Sequence, residues 1–392
     1  MTRRQFISGS LASAALLARG DTTASVDGFA FPDWAVRQID DGVRRYFDWK
    51  GADETVAFPL ITDVHSKVFG LPDPNDWRDP KRHVYFMRHI AERVGADFIA
   101  DLGDHDFQVV AFGKQLPMDQ VGQLVDAYHS LYRKEPKPVL FCRGNHDHAK
   151  GRIPDADYGA RFNRGLNAGK GVRLTLSDDG TFGYLDLPQK RFRTIFLNTS
   201  RGFRNGLPAE ELQFMADALS GAPADWQVVV LSHIPIPPIL NRSRRGGLER
   251  GDENMGVAYG IIEDFANRRG AFNEGWGKCE PNCYTLRGKE KVRWCFADSR
   301  ASFAGGFFGH CHCEEALDFA RTHWTIRPGY GTKPANDPCG EKRDPKRCHG
   351  ANGVLPKDTM MLDLVAVKPA KRQVHVFRFG WGGPESEREY AY

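Results

Sequence analysis

Past its N-terminal segment, the sequence of 392 residues has no run of about 18 apolar residues, which excludes an internal membrane-spanning helix. It has no internal repeat and no low-complexity block, which sets aside repeat architectures. Charge of one sign is scarce as well: 54 Lys and Arg oppose 50 Asp and Glu, a formal net charge of +4. Arg3, Arg4, Arg19 and Asp21 place +2 of that in the first 24 residues, so residues 25–392 hold only +2. Such balance argues against a dedicated nucleic-acid binder, because tracking a phosphate backbone needs a basic surface. What is there is the composition of a soluble globular protein, 41% hydrophobic and 27% charged, with 41 Gly and 23 Pro. The length suffices for one large domain or two ordinary ones with a substantial core.

The first residues, Thr2-Arg3-Arg4-Gln5-Phe6-Ile7, lead into an apolar run of mostly Leu and Ala that ends at Leu17. Small residues follow, and Thr22-Thr23-Ala24 is placed for cleavage before Ser25. A basic start, a short apolar centre and small residues make residues 1–24 an export signal and not a spanning helix. The arginine pair ahead of Phe6 resembles the twin-arginine signal, which the export machinery reads and which leaves no stable membrane anchor. That resemblance implies a bacterial protein of the periplasm or the medium, with residues 25–392 as the mature domain. Eight cysteines fit such a compartment, since export permits disulfides. Cys279, Cys283 and Cys295 lie near one another, and Cys339 and Cys348 bracket a loop rich in Gly, Asp, Pro and Lys; disulfides are expected in both places. The alternative at the second place is a zinc site from Cys339, Cys348 and His349, whose spacing matches no standard zinc ribbon. Cys142, in an apolar run, reads as an ordinary buried thiol.

Apolar runs at 56–62, 97–102 and 138–142 read as short buried strands. Residues 81–94 and 119–132, with apolar positions three and four apart, read as helices. Strand, helix, strand, repeated, predicts a mostly parallel sheet with helices on its faces. The second half is richer in strands, at 182–187, 192–198, 226–231, 302–308, 324–327, 360–367 and 373–379, with a helix at 210–219. It predicts a second sheet packed on the first. Residues 236–290, rich in Arg, Gly, Asn and Pro, read as a loop-rich insertion with one helix at 256–267, the kind of segment that often forms a lid or binding loop.

Five polar clusters lie just past the ends of these strands: Asp63-x-His65, Gly103-Asp104, Gly144-Asn145-His146-Asp147, Ser232-His233 and Gly309-His310-x-His312. Ligands of open α/β sheets bind at the carboxyl ends of the strands, so the five clusters would share one rim. Their donors are carboxylate and amide oxygens and imidazoles, with no thiolate, a set suited to Mn, Fe, Zn or Co more than to a soft metal. One Gly-Asp or Gly-Asn is an ordinary turn dipeptide. Five such clusters in order, each past a strand, are specific. Their order resembles the calcineurin-like metallophosphoesterase superfamily, over about residues 55–320.

The resemblance implies an α/β fold, a four-layer α/β/β/α sandwich with two mixed β-sheets, and a centre of two divalent metal ions. Asp63, His65 and His312 would hold one ion, Asn145, His233 and His310 the other, and Asp104 would bridge them. Two ions about 3.5–4 Å apart can share a hydroxide and grip the phosphoryl oxygens, and a carboxylate has the two oxygens that bridging needs. His310 and His312 are two apart, so on an extended segment they point the same way while Cys311 and Cys313 point away. His146 would steady the developing charge or protonate the leaving oxygen, and Asp147 would orient its imidazole. Asn145 and His146 would also touch the substrate, while Arg143, Arg201 and Arg204 are equally phosphate contacts or salt-bridge partners. The reaction implied is hydrolysis of a small phosphate ester by metal-bound hydroxide, a monoester ahead of a diester such as a cyclic nucleotide. A binding protein that kept only the fold is disfavoured, because Asn145, His146 and every ligand are present. The chain has His65 where purple acid phosphatases carry Gly, and Phe107 where they carry Tyr, so no purple ferric site is expected. His105 and Asp106 are unusual company for Asp104; they sit near the metals or support their ligands, and the sequence leaves both open.

Overall fold

Ala35, Ile39, Val43 and Tyr46 recur at intervals of four, four and three, which is one face of a helix, and all four are buried on α1 (Asp33–Lys50). The computed structural model describes residues 25–64, 80–105, 107, 116–201, 206–236, 254–268, 271–272, 279–280, 282–286, 290–310, 315–319, 322–326, 361–380 and 383–392. After α1 come β1 (Val56–Ile61), α2 (Pro80–Val94), β2 (Ile99–Asp101), α3 (Met118–Ser130), β3 (Val139–Phe141) and α4 (Asp155–Gly159), which runs on as a π-helix (Ala160–Gly165). The chain continues through β4 (Arg173–Leu176), β5 (Gly183–Leu187), β6 (Phe192–Phe196), α5 (Ala209–Ser220), β7 (Gln227–Ser232) and α6 (Met255–Ala266). It ends with β8 (Ser302–Phe308), β9 (Glu315–Phe319), β10 (Thr322–Ile326), β11 (Met361–Lys368), β12 (Gln373–Gly380) and β13 (Arg388–Ala391).

Two mixed sheets result. The six-stranded sheet runs β13-β12-β11-β1-β2-β3, with β1, β2 and β3 parallel and the other pairs antiparallel. The seven-stranded sheet runs β9-β10-β8-β7-β6-β5-β4, with β10, β8, β7 and β6 parallel. Alternation along each central strand divides its side chains between two cores. On β1, Val56, Phe58 and Leu60 face the core between the sheets, and Ala57 and Ile61 face the helices. On β7, Val229 and Leu231 enter the same middle core, and Val228 and Val230 face α5 and α6. Three cores between four layers are the expected α/β/β/α sandwich.

Several elements differ from the sequence expectation. The helix α6 lies inside the stretch read as an insertion, yet Met255, Ala258, Ile261, Ile262 and Phe265 are buried in the outer core of the seven-stranded sheet. That helix is a structural layer. The helix α1 and strands β4 and β13 had no counterpart in the reading of the sequence; on the two strands, exposed and half-buried residues alternate, which leaves little apolar pattern. The π-helix and the turn after it have an identifiable task at the edge of the six-stranded sheet. Asn163 bonds the backbone N–H and C=O of Phe141, and Asn167 bonds those of Val139, so two carboxamides close the open side of β3.

Candidate metal centre

Asp63 and Asp104 follow β1 and β2, Asn145 and His146 follow β3, and His233 and His310 follow β7 and β8. All five strands lie in the parallel parts of the two sheets, so their carboxyl ends point to one rim. The chain turns sharply there. Asp63, Asp104 and His310 have φ of 52°, 59° and 68°, a left-handed conformation that side chains other than glycine rarely take. Close approach explains the glycines beside them. A Cβ on Gly144 would collide with the backbone nitrogen and Oδ1 of Asp104, and a Cβ on Gly309 would collide with Thr62 Oγ1 and Asp63 Oδ2. Backbone bonds then tie the loops together: Asp63 N–H donates to Gly103 O at 2.8 Å, and His310 N–H donates to Asp63 Oδ2 at 2.8 Å.

Ligand atoms of Asp104, His233 and His310 lie within 4.8 Å of one another. His233 is fully buried, and its Nδ1 meets the Leu102 carbonyl at 2.9 Å, which places the ring proton on Nδ1 and turns Nε2 inward as a lone-pair donor. That Nε2 faces Asn145 Oδ1 at 3.1 Å and Asp104 Oδ2 at 3.3 Å. Two oxygens and an imidazole nitrogen converge, with His310 beside them at a ring distance of 5.1 Å from His233. This donor set fits a borderline divalent cation. Burial disfavours the charge on His233, but Asp104, with Asp63 and Asp147, outweighs burial and pushes the pKa up to about 9. Asn145, His233, His310 and Asp104 are thus brought together. Asp63 joins them through its bond from His310. His65 and His312, the other expected ligands of its ion, lie outside the described residues, as do Asp106, Arg204 and the segment 1–24. The His146 side chain is 41% exposed, and its backbone N–H donates to Asp104 Oδ1 at 2.8 Å, so its imidazole stands at the open side of the cluster.

Beneath the cluster is a buried network that involves residues the sequence reading left undecided or passed over. His105 is fully buried, with Nε2 at 2.8 Å from Asp101 Oδ1 and Nδ1 at 3.2 Å from Asp147 Oδ2. The hydroxyls of Tyr128 and Tyr132 donate to the other oxygen of Asp101 at 2.7 and 2.6 Å. Burial opposes a charge on His105, but Asp101 and Asp147 hold its pKa at about 10. The available signal was an aspartate at the end of the apolar strand β2, together with two tyrosines four apart, Tyr128 on α3 and Tyr132 in the turn that follows it. Asp147 has a task beyond the one expected. Its carboxylate accepts the backbone N–H groups of Gly144, Asp104 and His105, so it organises two loops.

Of the two roles open to Arg143, the structure shows the salt bridge. Its guanidinium is 1% exposed, is paired with Asp155, donates to Ile153 O and lies over the Tyr158 ring, and a buried, paired guanidinium cannot meet a phosphate. Arg201 pairs with Asp179 and Glu210. Phe107, at the position of the missing tyrosine, is buried 5.6 Å from the His105 ring and serves as packing. Cys142 is a buried free thiol, and Cys295 is disulfide-bonded.

No curated protein matches the chain. Three solved structures are similar to the chain at low identity. A putative 5'-nucleotidase from Staphylococcus aureus is 13% identical, with 80% of this chain and 51% of that one covered and a TM-score of 0.37. A purple acid phosphatase from yellow lupin (Lupinus luteus) seeds is 11% identical, with coverages of 84% and 52% and a TM-score of 0.44. GAP50, the anchor in the inner membrane complex of Plasmodium, is 11% identical, with coverages of 86% and 88% and a TM-score of 0.43. The chain spans about half the length of the first two. The family match is more direct: residues 58–271, more than half of the chain, match the calcineurin-like phosphoesterase family, and this span holds Asp63, Asp104, Asn145, His146 and His233. The chain therefore belongs to the calcineurin-like phosphoesterase family, a family of metal-dependent phosphoric ester hydrolases.

Proposed function

We propose that this protein is an exported phosphoesterase with two divalent ions, acting on small phosphomonoesters. The observation that carries the metal reading is the convergence of Asp104 Oδ2, Asn145 Oδ1 and His233 Nε2 with His310 beside them. Asn145, His233, His310 and Asp104 would hold one ion, and Asp63, His65 and His312, with Asp104 shared, would hold the other. Bound ions of the Mn, Fe, Zn or Co type would supply an acidified water and positive charge for the phosphoryl oxygens. The chain supplies the rest. Asp104 orients through its bond from His146 N–H, and Leu102 O fixes the His233 ring. The exposed imidazole of His146 is placed to steady charge on the substrate or to protonate the leaving oxygen. Phosphoryl transfer depends mostly on such positioning and charge neutralisation.

Export to a bacterial periplasm is supported by the arginine pair and apolar run of residues 1–24 and by the disulfide at Cys295, which needs an oxidising compartment. The monoester reading rests on export and on the absence of any base-reading module from the sequence, whose charge is also near balance. The test is hydrolysis of p-nitrophenyl phosphate and of its bis-ester by the purified chain, with Mn and with chelator, beside Asp104→Ala and His146→Ala. Chelator-sensitive release of phosphate from the monoester, reduced at least about a hundredfold in both variants, is expected. Turnover of the bis-ester alone would replace the monoesterase by a diesterase. A protein that binds no metal would end the reading.

A further inference from the structure

The strands β2 and β3 are neighbours in register, Asp101 opposite Phe141, and each continues into one loop of the centre. One imidazole joins those loops from below. We propose that His105 is a positioning residue for the metal centre: by holding Asp101 and Asp147 through its two ring nitrogens, it locks the loop that carries Asp104 to the loop that carries Asn145 and His146. The proposal rests on the metal reading above and adds a residue to it.

Each contact in the chain of support is specific. One planar ring spans the two carboxylates at a fixed separation: Nε2 is hydrogen-bonded to Asp101 Oδ1 at 2.8 Å, and Nδ1 lies 3.2 Å from Asp147 Oδ2. At one end, Asp101 cannot swing, because the Tyr128 and Tyr132 hydroxyls hold its second oxygen. At the other, Asp147 receives N–H groups from both loops: Gly144 on one side, Asp104 and His105 on the other. The ring has no alternative position, being packed among Tyr128 at 4.3 Å, Phe107 at 5.6 Å and Phe141 at 5.8 Å. Asp101, His105 and Asp147 are all 0% exposed, so removing the ring between them takes away a partner that both carboxylates share in an interior with no water to replace it. Asp104 depends on this arrangement directly. It is held at φ 59° by its N–H bond to Asp147, and that conformation aims Oδ1 at His146 N and Oδ2 at His233 Nε2.

The experiment measures Mn affinity of the metal-free chain by competition with a chromophoric chelator, the Co(II) absorption spectrum, and kcat and KM on p-nitrophenyl phosphate. In His105→Gln, whose amide can donate at one end only, Mn affinity is expected to fall about 10–100-fold, with a changed Co(II) spectrum and a lower kcat at similar KM. The double variant Tyr128→Phe/Tyr132→Phe keeps both rings and loosens only Asp101; it guards against misfolding of the first and is expected to weaken Mn binding in the same direction by a smaller factor. Met87→Ala, a core truncation on α2, is the control for general destabilisation: it should lower the melting temperature and leave Mn affinity in place. Wild-type Mn affinity and Co(II) spectrum in a folded His105→Gln or in the tyrosine pair would overturn the proposal. Equal weakening by Met87→Ala would do the same. A wild-type chain that binds no metal would instead remove the metal reading on which it stands.

Discussion

At His233 the two ring nitrogens have separate tasks: Nδ1 is spent on the Leu102 carbonyl, and Nε2 is left for the cation or for a proton. Cation and proton compete for it, which sets a pH dependence. The pKa of His233 is pushed up to about 9, burial opposing and Asp104, Asp63 and Asp147 together prevailing, so a proton competes with a cation for Nε2 at neutral pH. Mn affinity is therefore expected to rise about tenfold per pH unit from pH 7 to about 9, levelling off above, with release of about one proton per ion near neutrality. Calorimetric titration in buffers of different ionisation enthalpy reads that proton; an affinity flat from pH 7 to 9 would contradict it. The residue scale is also where the sequence was most legible. Asp104, Asn145, His233 and His310 were marked by type and by their place past apolar runs, and these four meet in space. Arg143 and Asp147 were not legible in the same way, because a charged side chain beside a ligand can turn toward the site or beneath it, and only their partners decide.

The elements carry the site by ending where they do. Parallel strands deliver their carboxyl ends to one rim, and the order of strands within each sheet selects which ends become neighbours. The strand β3 is at the edge of its sheet, paired on one side only, and Asn163 and Asn167 stand in for a neighbour on the other. Asn163→Ala would leave the buried N–H and C=O of Phe141 without their partner, at a cost of about 1–3 kcal/mol. Urea unfolding should show a lower midpoint at unchanged slope, and a midpoint equal to wild type would show that the edge needs no cap. Helix existence was readable from apolar spacing at α2, α3, α5 and α6. The layer that a helix joins was not readable: α6 sits in a polar, glycine-rich neighbourhood of the sequence and still belongs to a core. The Asn163 and Asn167 pair was unreadable for a related reason, since its partners are backbone groups that leave no mark in the side-chain pattern.

At the scale of the molecule the centre is a seam between two sheets. His233 Nδ1 reaches Leu102 O, and His310 N–H reaches Asp63 Oδ2, each bond crossing from the seven-stranded sheet to the six-stranded one. A cation gripped by Asp104 on one side and by His233 and His310 on the other would add to that seam. Metal is therefore expected to stabilise the whole fold, by about 2.7 kcal/mol at a free concentration of a hundred times Kd. Calorimetry with Mn and with chelator should show one transition shifted upward by several degrees; a melting temperature indifferent to metal would mean that the ion does not join the sheets. The sequence by itself determined the family, the alternation of strands and helices and the identity of the donors, because apolar periodicity and residue type act locally along the chain. Only the tertiary structure decided that Asp101, His105 and Asp147 form a buried bridge under Asp104, that Arg143 is closed off by Asp155, and that α6 is a layer. These depend on which distant side chains face one another across a packed interior, where each charge must find its counter-charge at a distance the linear order does not encode.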